Sequence, residues 1–190
     1  QGGMGVGISM SGMASAVAKE GGIGVIAAAM AGIHEADIYK NSLQANLRVL
    51  RQEIRKAREK TQGIIGVNIM VALTEYAEMV KCAINEKVDI IFSGAGLPLD
   101  LPRYLSEAAK TKLAPIVSSG RAASIICKKW LAKFDYLPDA FVVEGPMAGG
   151  HIGFKTEQIE NPMFSLENLL KEVKAALQPF EQQRGNTIPV

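Results

Sequence analysis

The feature that most constrains this chain is a rhythm in its apolar residues. Short, nearly continuous hydrophobic runs rich in β-branched side chains alternate with longer amphipathic stretches. The runs are "GIGVIAA" (22–28), "IIGVNIM" (64–70), "VDIIFSG" (88–94), "LAPIVSS" (113–119) and "AFVVE" (140–144). A strand with one wet face alternates polar and apolar residues. These runs do not, so they predict strands covered on both faces, as in a parallel sheet flanked by helices. The stretches between them predict helices at Ser11–Lys19, Glu35–Lys60, Glu75–Glu86, Leu101–Lys110, Arg121–Phe134 and Leu166–Leu177. In the second, Ile38, Leu43, Leu47, Leu50, Ile54 and Ala57 form one helical stripe. Thr74, Asp100, Ser119 and Ser165 stand where N-caps belong.

A β-α-β-α order with most strands roughly 25 residues apart suits two architectures, an open doubly wound sheet and a closed (β/α)8 barrel. The ends favour the barrel. The chain opens on "QGGMGVG", a glycine-rich turn of the kind that follows a strand, and closes on "NTIPV", the start of a new apolar run after a helix. The expected fold is therefore α/β, a (β/α)8 TIM barrel. Residues 1–190 are expected to form a partial barrel domain that lacks strand 1 and most of strands 7 and 8, with the five runs as strands 2 to 6.

Composition removes several function classes. The chain is 48% hydrophobic and 21% charged, enough for a sizeable core. A net charge of +2 argues against a nucleic-acid partner. The basic run "RVLRQEIRKAREK" (48–60) contains Glu53 and Glu59 and reads as the solvated face of a helix. The longest apolar stretch, "GGIGVIAAAMAGI" (21–33), is too short to span a bilayer, and no signal-peptide pattern precedes it, so no membrane role is expected. Cys82 and Cys127 lie in separate helical stretches without Cys-x-x-Cys spacing. They read as reduced packing residues of a cytoplasmic protein, not as metal ligands. The oligomeric state stays open, a homo-oligomer included.

In a βα barrel, ligands collect where the strands exit. The residues after each run are "QGGMG" (1–5), "AAMAG" (28–32), "NIM" (68–70), "SGAGLP" (93–98), "SSG" (118–120) and "EGPMAGGHIG" (144–153). Four of the six are glycine-rich or small, which lets backbone approach a flat or charged ligand and suggests a cofactor across the barrel mouth. "GIGVIA" (22–27) matches the dinucleotide pattern G-x-G-x-x-A, but it overlaps a strand instead of following one, so its glycines are read as packing residues. His151 stands behind two glycines on a loop. Taken alone it is either a polar turn residue or a catalytic base. His34, in "GIHEAD", is read as a surface or capping residue.

Five stretches carry a family resemblance: "QGGMGVGIS" near the start, "AKEGGIGVI" (18–26), "GVNIM" (66–70), "SGAGLP" (93–98) and "GGHIG" (149–153). In this order they resemble the FMN-dependent nitronate monooxygenases, once called 2-nitropropane dioxygenases, and their relatives the flavin-dependent enoyl-acyl-carrier-protein reductases. The resemblance covers essentially the whole chain, and "GGHIG" is its most specific motif. It implies that Gly2, Gly3 and Met4 lie along the flavin, that Asn68, Glu144, Gly149 and Gly150 contact FMN, and that His151 is the catalytic residue. It implies a small-molecule substrate, with dioxygen or NAD(P)H as co-substrate. Two positions depart from the pattern. Nitronate monooxygenases usually carry Gln where this chain has Glu144, whereas the enoyl reductases carry Glu. Both usually have an acidic residue where this chain has Met147.

Imidazole chemistry agrees with that role for His151. Its ordinary pKa of about 6.5 lets it accept a proton near neutral pH. Removing a proton alpha to a nitro group leaves a nitronate, an electron-rich anion that a flavin can oxidise. The expected function is thus oxidation of nitronates or nitroalkanes with dioxygen. The alternatives are an NAD(P)H-dependent enoyl-thioester reductase and a non-catalytic barrel module without flavin.

Overall fold

A computed structural model describes residues 1–150 and 153–190. In chain order its elements are α1 (Ser11–Lys19), β1 (Gly24–Ala27), α2 (Ser42–Lys60), β2 (Ile65–Met70), α3 (Tyr76–Asn85), β3 (Ile90–Gly94), β4 (Lys112–Val117), α4 (Gly120–Phe134), β5 (Val142–Val143) and α5 (Leu166–Arg184). They fall in two compact units: Gln1–Phe92 with Tyr104–Lys112, and Ser93–Arg103 with Leu113–Val190.

In the first unit β1 pairs in parallel with β2, from Gly24 opposite Ile65 to Ala27 opposite Asn68, and β3 follows β2. All four residues of β1 are buried, as its unbroken apolar run requires. Two glycines let α1 settle on the sheet: a Cβ at Gly24 would run into the carbonyl of Ala14, and one at Gly63 into the carbonyl of Ala18. Both glycines of "GIGVIA" thus serve packing, since a Cβ at Gly22 would also come within 2.9 Å of Val17. The edge of β1 is completed by a side chain, since the Gln1 amide donates to the Val25 carbonyl (2.7 Å) and accepts from the Val25 N–H (3.2 Å).

In the second unit β4 pairs in parallel with β5, Ile116 opposite Val142 and Val117 opposite Val143. Helix α4 lies against α5 where Gly120 meets the Glu172 carbonyl, which a Cβ would approach to 2.7 Å. Trp130 is fully buried and its indole N–H donates to the Pro98 carbonyl (2.9 Å). Both cysteines are free and buried. Burial alone raises the Cys127 thiol, to about 12, and leads the upward shift at Cys82, so both act as small apolar residues.

Aspartates mark two strand entrances. Asp89, just before β3, accepts from the Ile65 N–H through its carboxylate (2.7 Å). Asp139, three residues before β5, accepts from the Leu113 N–H (2.9 Å) and from the Tyr136 hydroxyl (2.5 Å).

Four differences from the expected elements have physical reasons. The helix expected at Leu101–Lys110 is only a 3-10 turn at Leu101–Tyr104. After Pro102 the segment has no buried stripe to hold a helix. Instead Tyr104 packs edge-on to Tyr76 with ring centroids 6.5 Å apart, and Lys81 Nζ lies 6.0 Å from its ring. Helix α2 begins at Ser42 and not at Glu35. Residues 33–41 are turns, held by the Arg48 guanidinium on Glu35 (2.6 Å) and Asp37 (2.6 Å). Helix α5 continues past Leu177 to Arg184. Pro179 sits on its exposed face, where a freed carbonyl can meet water, Phe180 anchors the last turn, and Gly185 closes it at φ +68°. Of the four expected caps, Ser119 and Ser165 accept from backbone N–H groups. Thr74 is not the cap of α3, which starts after Glu75, and Asp100 pairs with Lys133 instead (2.6 Å).

The basic run 48–60 is more than a solvated face. Arg51 and Arg55 reach Glu86 (3.4 and 2.8 Å), and Arg58 reaches Asp89 (2.7 Å). With Arg48, this stripe of guanidinium groups ties α2 to its neighbours in the first unit and so is committed within the fold.

Candidate functional site

The expected site residues fall into two groups, one in each unit. In the first unit the loop before α1 lies over the ends of β1 and β2. Ser9, 2% exposed, closes it. Its hydroxyl accepts from the Met4 N–H (2.9 Å) and donates to the Gly2 carbonyl (3.4 Å). Its own N–H donates to the Met4 carbonyl (2.9 Å), and its carbonyl accepts from Ala27 at the end of β1 (3.0 Å). The loop is also pinned by the Val6 N–H, which donates to the Ala29 carbonyl (2.9 Å).

This brings Gly3 against Asn68, with Gly2 and Met4 as its chain neighbours. A Cβ at Gly3 would lie 2.6 Å from the Asn68 Cβ, so only glycine lets the loop lie this low. Nothing stands within 4 Å of the Cβ position at Gly2, whose backbone is open to solvent. Asn68 is half-buried at the penultimate-but-one position of β2. Its carbonyl accepts from the Ala28 N–H (3.0 Å). Among the described residues nothing hydrogen-bonds its side-chain amide, which leaves donor and acceptor free for a ligand.

Two non-glycine residues here sit in the left-handed region, Val6 at φ +50° and Met30 at φ +54°. For a β-branched valine this is a strained backbone, of the kind that persists where surrounding contacts over-determine it and that clusters at functional sites. Both side chains are exposed, and Met4 and Ile8, also exposed, flank Val6 on its loop.

In the second unit the chain leaves β5 at Glu144, whose N–H donates to the Val117 carbonyl (2.9 Å). Its carboxyl is half-buried, and that burial raises its pKa above the ordinary carboxylate value. Gly149 and Gly150 follow, with nothing within 4 Å of either Cβ position, and Gly150 has φ +84°. Their bare backbone is exposed. Met147, at the position where an acid is usual, is 85% exposed and fills no packing role. His151 lies outside the described residues. His34 is exposed beside Gly7, consistent with a surface residue.

The sequence reading missed Ser9 and two residues of α2. Asn46 and Glu53, 5% and 8% exposed, are buried on the inner side of that helix. A serine shortly after a glycine loop and a polar residue on an apolar stripe were the available signals.

The first unit offers bare peptide at Gly2 and an uncommitted amide at Asn68, and the second offers bare peptide at Gly149 and Gly150 and a half-buried carboxyl at Glu144. Among the described residues no group of three or more His, Cys, Asp or Glu side chains could hold a metal ion. Parallel strands joined by helical crossovers define the class, an α/β fold with glycine-bare loops at the strand exits.

The family model for nitronate monooxygenase matches residues 1–190. A point mutant of FabK from Thermotoga maritima is 30% identical, with a TM-score of 0.67 over 92% of this chain and 49% of that one. FabK itself from the same organism is 28% identical, with a TM-score of 0.64 over 92% and 47%. Nitroalkane oxidase from Streptomyces ansochromogenes shares the fold at 22% identity, with a TM-score of 0.68 over 93% and 55%. No curated protein matches. The chain spans about half the length of the solved structures it matches. It belongs to the nitronate monooxygenase family, whose members are flavin-dependent oxidoreductases. Among the described residues no helix is long and apolar enough to cross a membrane.

Proposed function

We propose that the full-length protein is an FMN-dependent (β/α)8 barrel enzyme that oxidises alkyl nitronates or nitroalkanes with dioxygen. The observation that carries this reading is the low-lying Gly2–Met4 loop against Asn68, with glycine required at Gly3 and the Asn68 amide uncommitted. Family membership supplies the reaction class.

Bound FMN would supply the redox chemistry, the two-electron oxidation of substrate with dioxygen as the final acceptor. The chain's own residues do the rest. Gly2 and Gly3 would hold the flavin through bare backbone, and Asn68 through an amide that can both donate and accept. In the second unit, Gly149 and Gly150 offer bare backbone. His151 accepts the proton from the carbon alpha to the nitro group, leaving the substrate as its nitronate and the proton on imidazole. Glu144, whose carboxyl pKa is raised by burial, offers hydrogen-bond acceptors in the second unit.

The second reading is an NAD(P)H-dependent reductase of enoyl thioesters on the same scaffold. Glu144 favours it, as does 30% identity to the FabK mutant. Anaerobic mixing of the flavin-loaded full-length protein decides. Bleaching by a nitronate without NAD(P)H supports the oxidase reading. Bleaching only by NAD(P)H, with turnover of an enoyl thioester, replaces it. A protein that binds no FMN refutes both and leaves a non-catalytic module.

A further inference from the structure

Helix α2 carries two polar side chains where its apolar stripe should continue. Asn46 and Glu53 are seven residues apart, two helical turns, and so share one face. They are buried beside Leu50, Ile54 and Ala57. A buried polar side chain persists when it satisfies something, and each of these satisfies a backbone N–H in a different loop. Asn46 Oδ1 accepts from the Gly32 N–H (2.8 Å), in the loop after β1. Glu53 Oε2 accepts from the Ser11 N–H (3.0 Å), where the glycine loop turns into α1. Its other oxygen holds Lys56 (2.7 Å). Helix α1 has no cap of its own, since its N-cap Met10 makes no side-chain bond.

The two loops they grip also grip each other, through Val6 N–H to the Ala29 carbonyl (2.9 Å) and Ala27 N–H to the Ser9 carbonyl (3.0 Å). Gly32 is held by more than a hydrogen bond: a Cβ there would come within 2.8 Å of the α2 backbone at Ala45. The segment clamped at Ser11 carries Gly3, Met4 and the strained Val6, and the one clamped at Gly32 carries the strained Met30. The backbone that forms the proposed flavin bed is thus fixed from behind at two points, both on one rigid helix.

We propose that Asn46 and Glu53 are positioning residues for flavin binding, setting the height of the Gly2–Met4 loop over Asn68 through Ser11 and Gly32. The assignment rests on the flavin reading above. It predicts an order of effects that a purely structural role does not. Removing the acceptor, in Asn46→Leu or Glu53→Leu, should raise the FMN dissociation constant of the folded full-length protein several-fold to about tenfold, the worth of one hydrogen bond. It should also change the visible spectrum of the flavin that remains bound. Keeping the acceptor, in Asn46→Asp or Glu53→Gln, should leave affinity within about twofold of wild type, because the loop N–H is still satisfied.

The experiment is FMN titration of the flavin-free full-length protein and these four variants, with amide hydrogen exchange on wild type. Exchange at Gly32 and Ser11 should be slow without FMN and slower with it. Leucine variants that fold and bind FMN as tightly as wild type overturn the assignment, as does loss in the acceptor-keeping variants equal to that in the leucine ones. Should the leucine variants not fold, the exchange data decide: Gly32 and Ser11 amides that exchange as fast as exposed loops overturn the assignment. A wild type that binds no FMN refutes the flavin reading itself, and this assignment with it.

Discussion

Gly3→Ala tests the geometry of the glycine loop at a single atom. The added Cβ would stand 2.6 Å from the Asn68 Cβ, 3.3 Å from Val25 Cγ1 and 3.4 Å from Asn68 Cγ. Two carbons in contact prefer about 3.5–4.0 Å, so the closest pair is about 1 Å too near. The obstacle is a Cβ, fixed to the backbone of β2, and no rotamer change moves it. The loop must rise or the strand must bend. Overpacking of this kind costs about 1–3 kcal/mol. The readout is urea unfolding of the flavin-free full-length protein, combined with two changes at position 68 in a double-mutant cycle. Asn68→Gly removes the obstructing Cβ and should restore much of the loss. Asn68→Ala keeps that Cβ and should restore little, although it removes the amide. Coupling to Gly3→Ala should therefore be about 1 kcal/mol or more for the glycine and much smaller for the alanine. Equal rescue by both, or a Gly3→Ala protein as stable as wild type, would show that the loop does not lie on Asn68 in this way.

Other outcomes follow from the same site. Asn68→Ala should raise the FMN dissociation constant several-fold to about tenfold, and an unchanged flavin titration would remove Asn68 from the site. Gly149→Val should leave stability nearly intact, because nothing lies within 4 Å of its Cβ position, yet lower flavin occupancy of the purified protein; normal occupancy would mean the ring lies elsewhere. His151→Asn should slow turnover of a neutral nitroalkane by about 10²–10⁴ and of its pre-formed nitronate much less, with flavin content retained; equal loss on both forms would sink the base role. Glu144 has a raised native pKa, so the native state holds its proton more tightly than the unfolded chain does. Its contribution to stability should then fall as pH rises from about 4.5, and Glu144→Gln should flatten that part of the pH–stability curve.

What could be read in the sequence tracks how strongly each residue is constrained by period. Strands covered on both faces show as unbroken apolar runs, and β1, β2, β3 and β4 lie within a residue or two of those runs. Helices with a full stripe, such as α1 and α4, begin and end close to expectation. The segment after Pro102 misled because Glu107, Ala108, Ala109 and Lys110 are good helix formers locally, while nothing nearby offers a face to bury them on. The turn at 33–41 misled because Ile38 keeps helical phase with α2 yet is buried from a loop. In the site, glycines and Asn68 stood out by type and place. Ser9, Asn46 and Glu53 did not, because their partners are backbone N–H groups distant in sequence. A polar residue on an apolar stripe looks like a break in the pattern until the loop it holds is known.

The aspartates at the strand entrances bear on how such a protein can change. Asp89 and Asp139 each extend a strand pairing by one rung, with a carboxylate in place of a carbonyl, and so fix where the strands start. At the opposite ends of the strands the chain is glycine, alanine and open loop. Alignment is settled at one end by two short acidic side chains, while the other end carries the loops of the proposed flavin site. Loops there can accumulate substitutions, lengthen or exchange one substrate for another without shifting the strands beneath them. That separation gives one scaffold a route from one reaction to another through viable intermediates, each with its strands already in place.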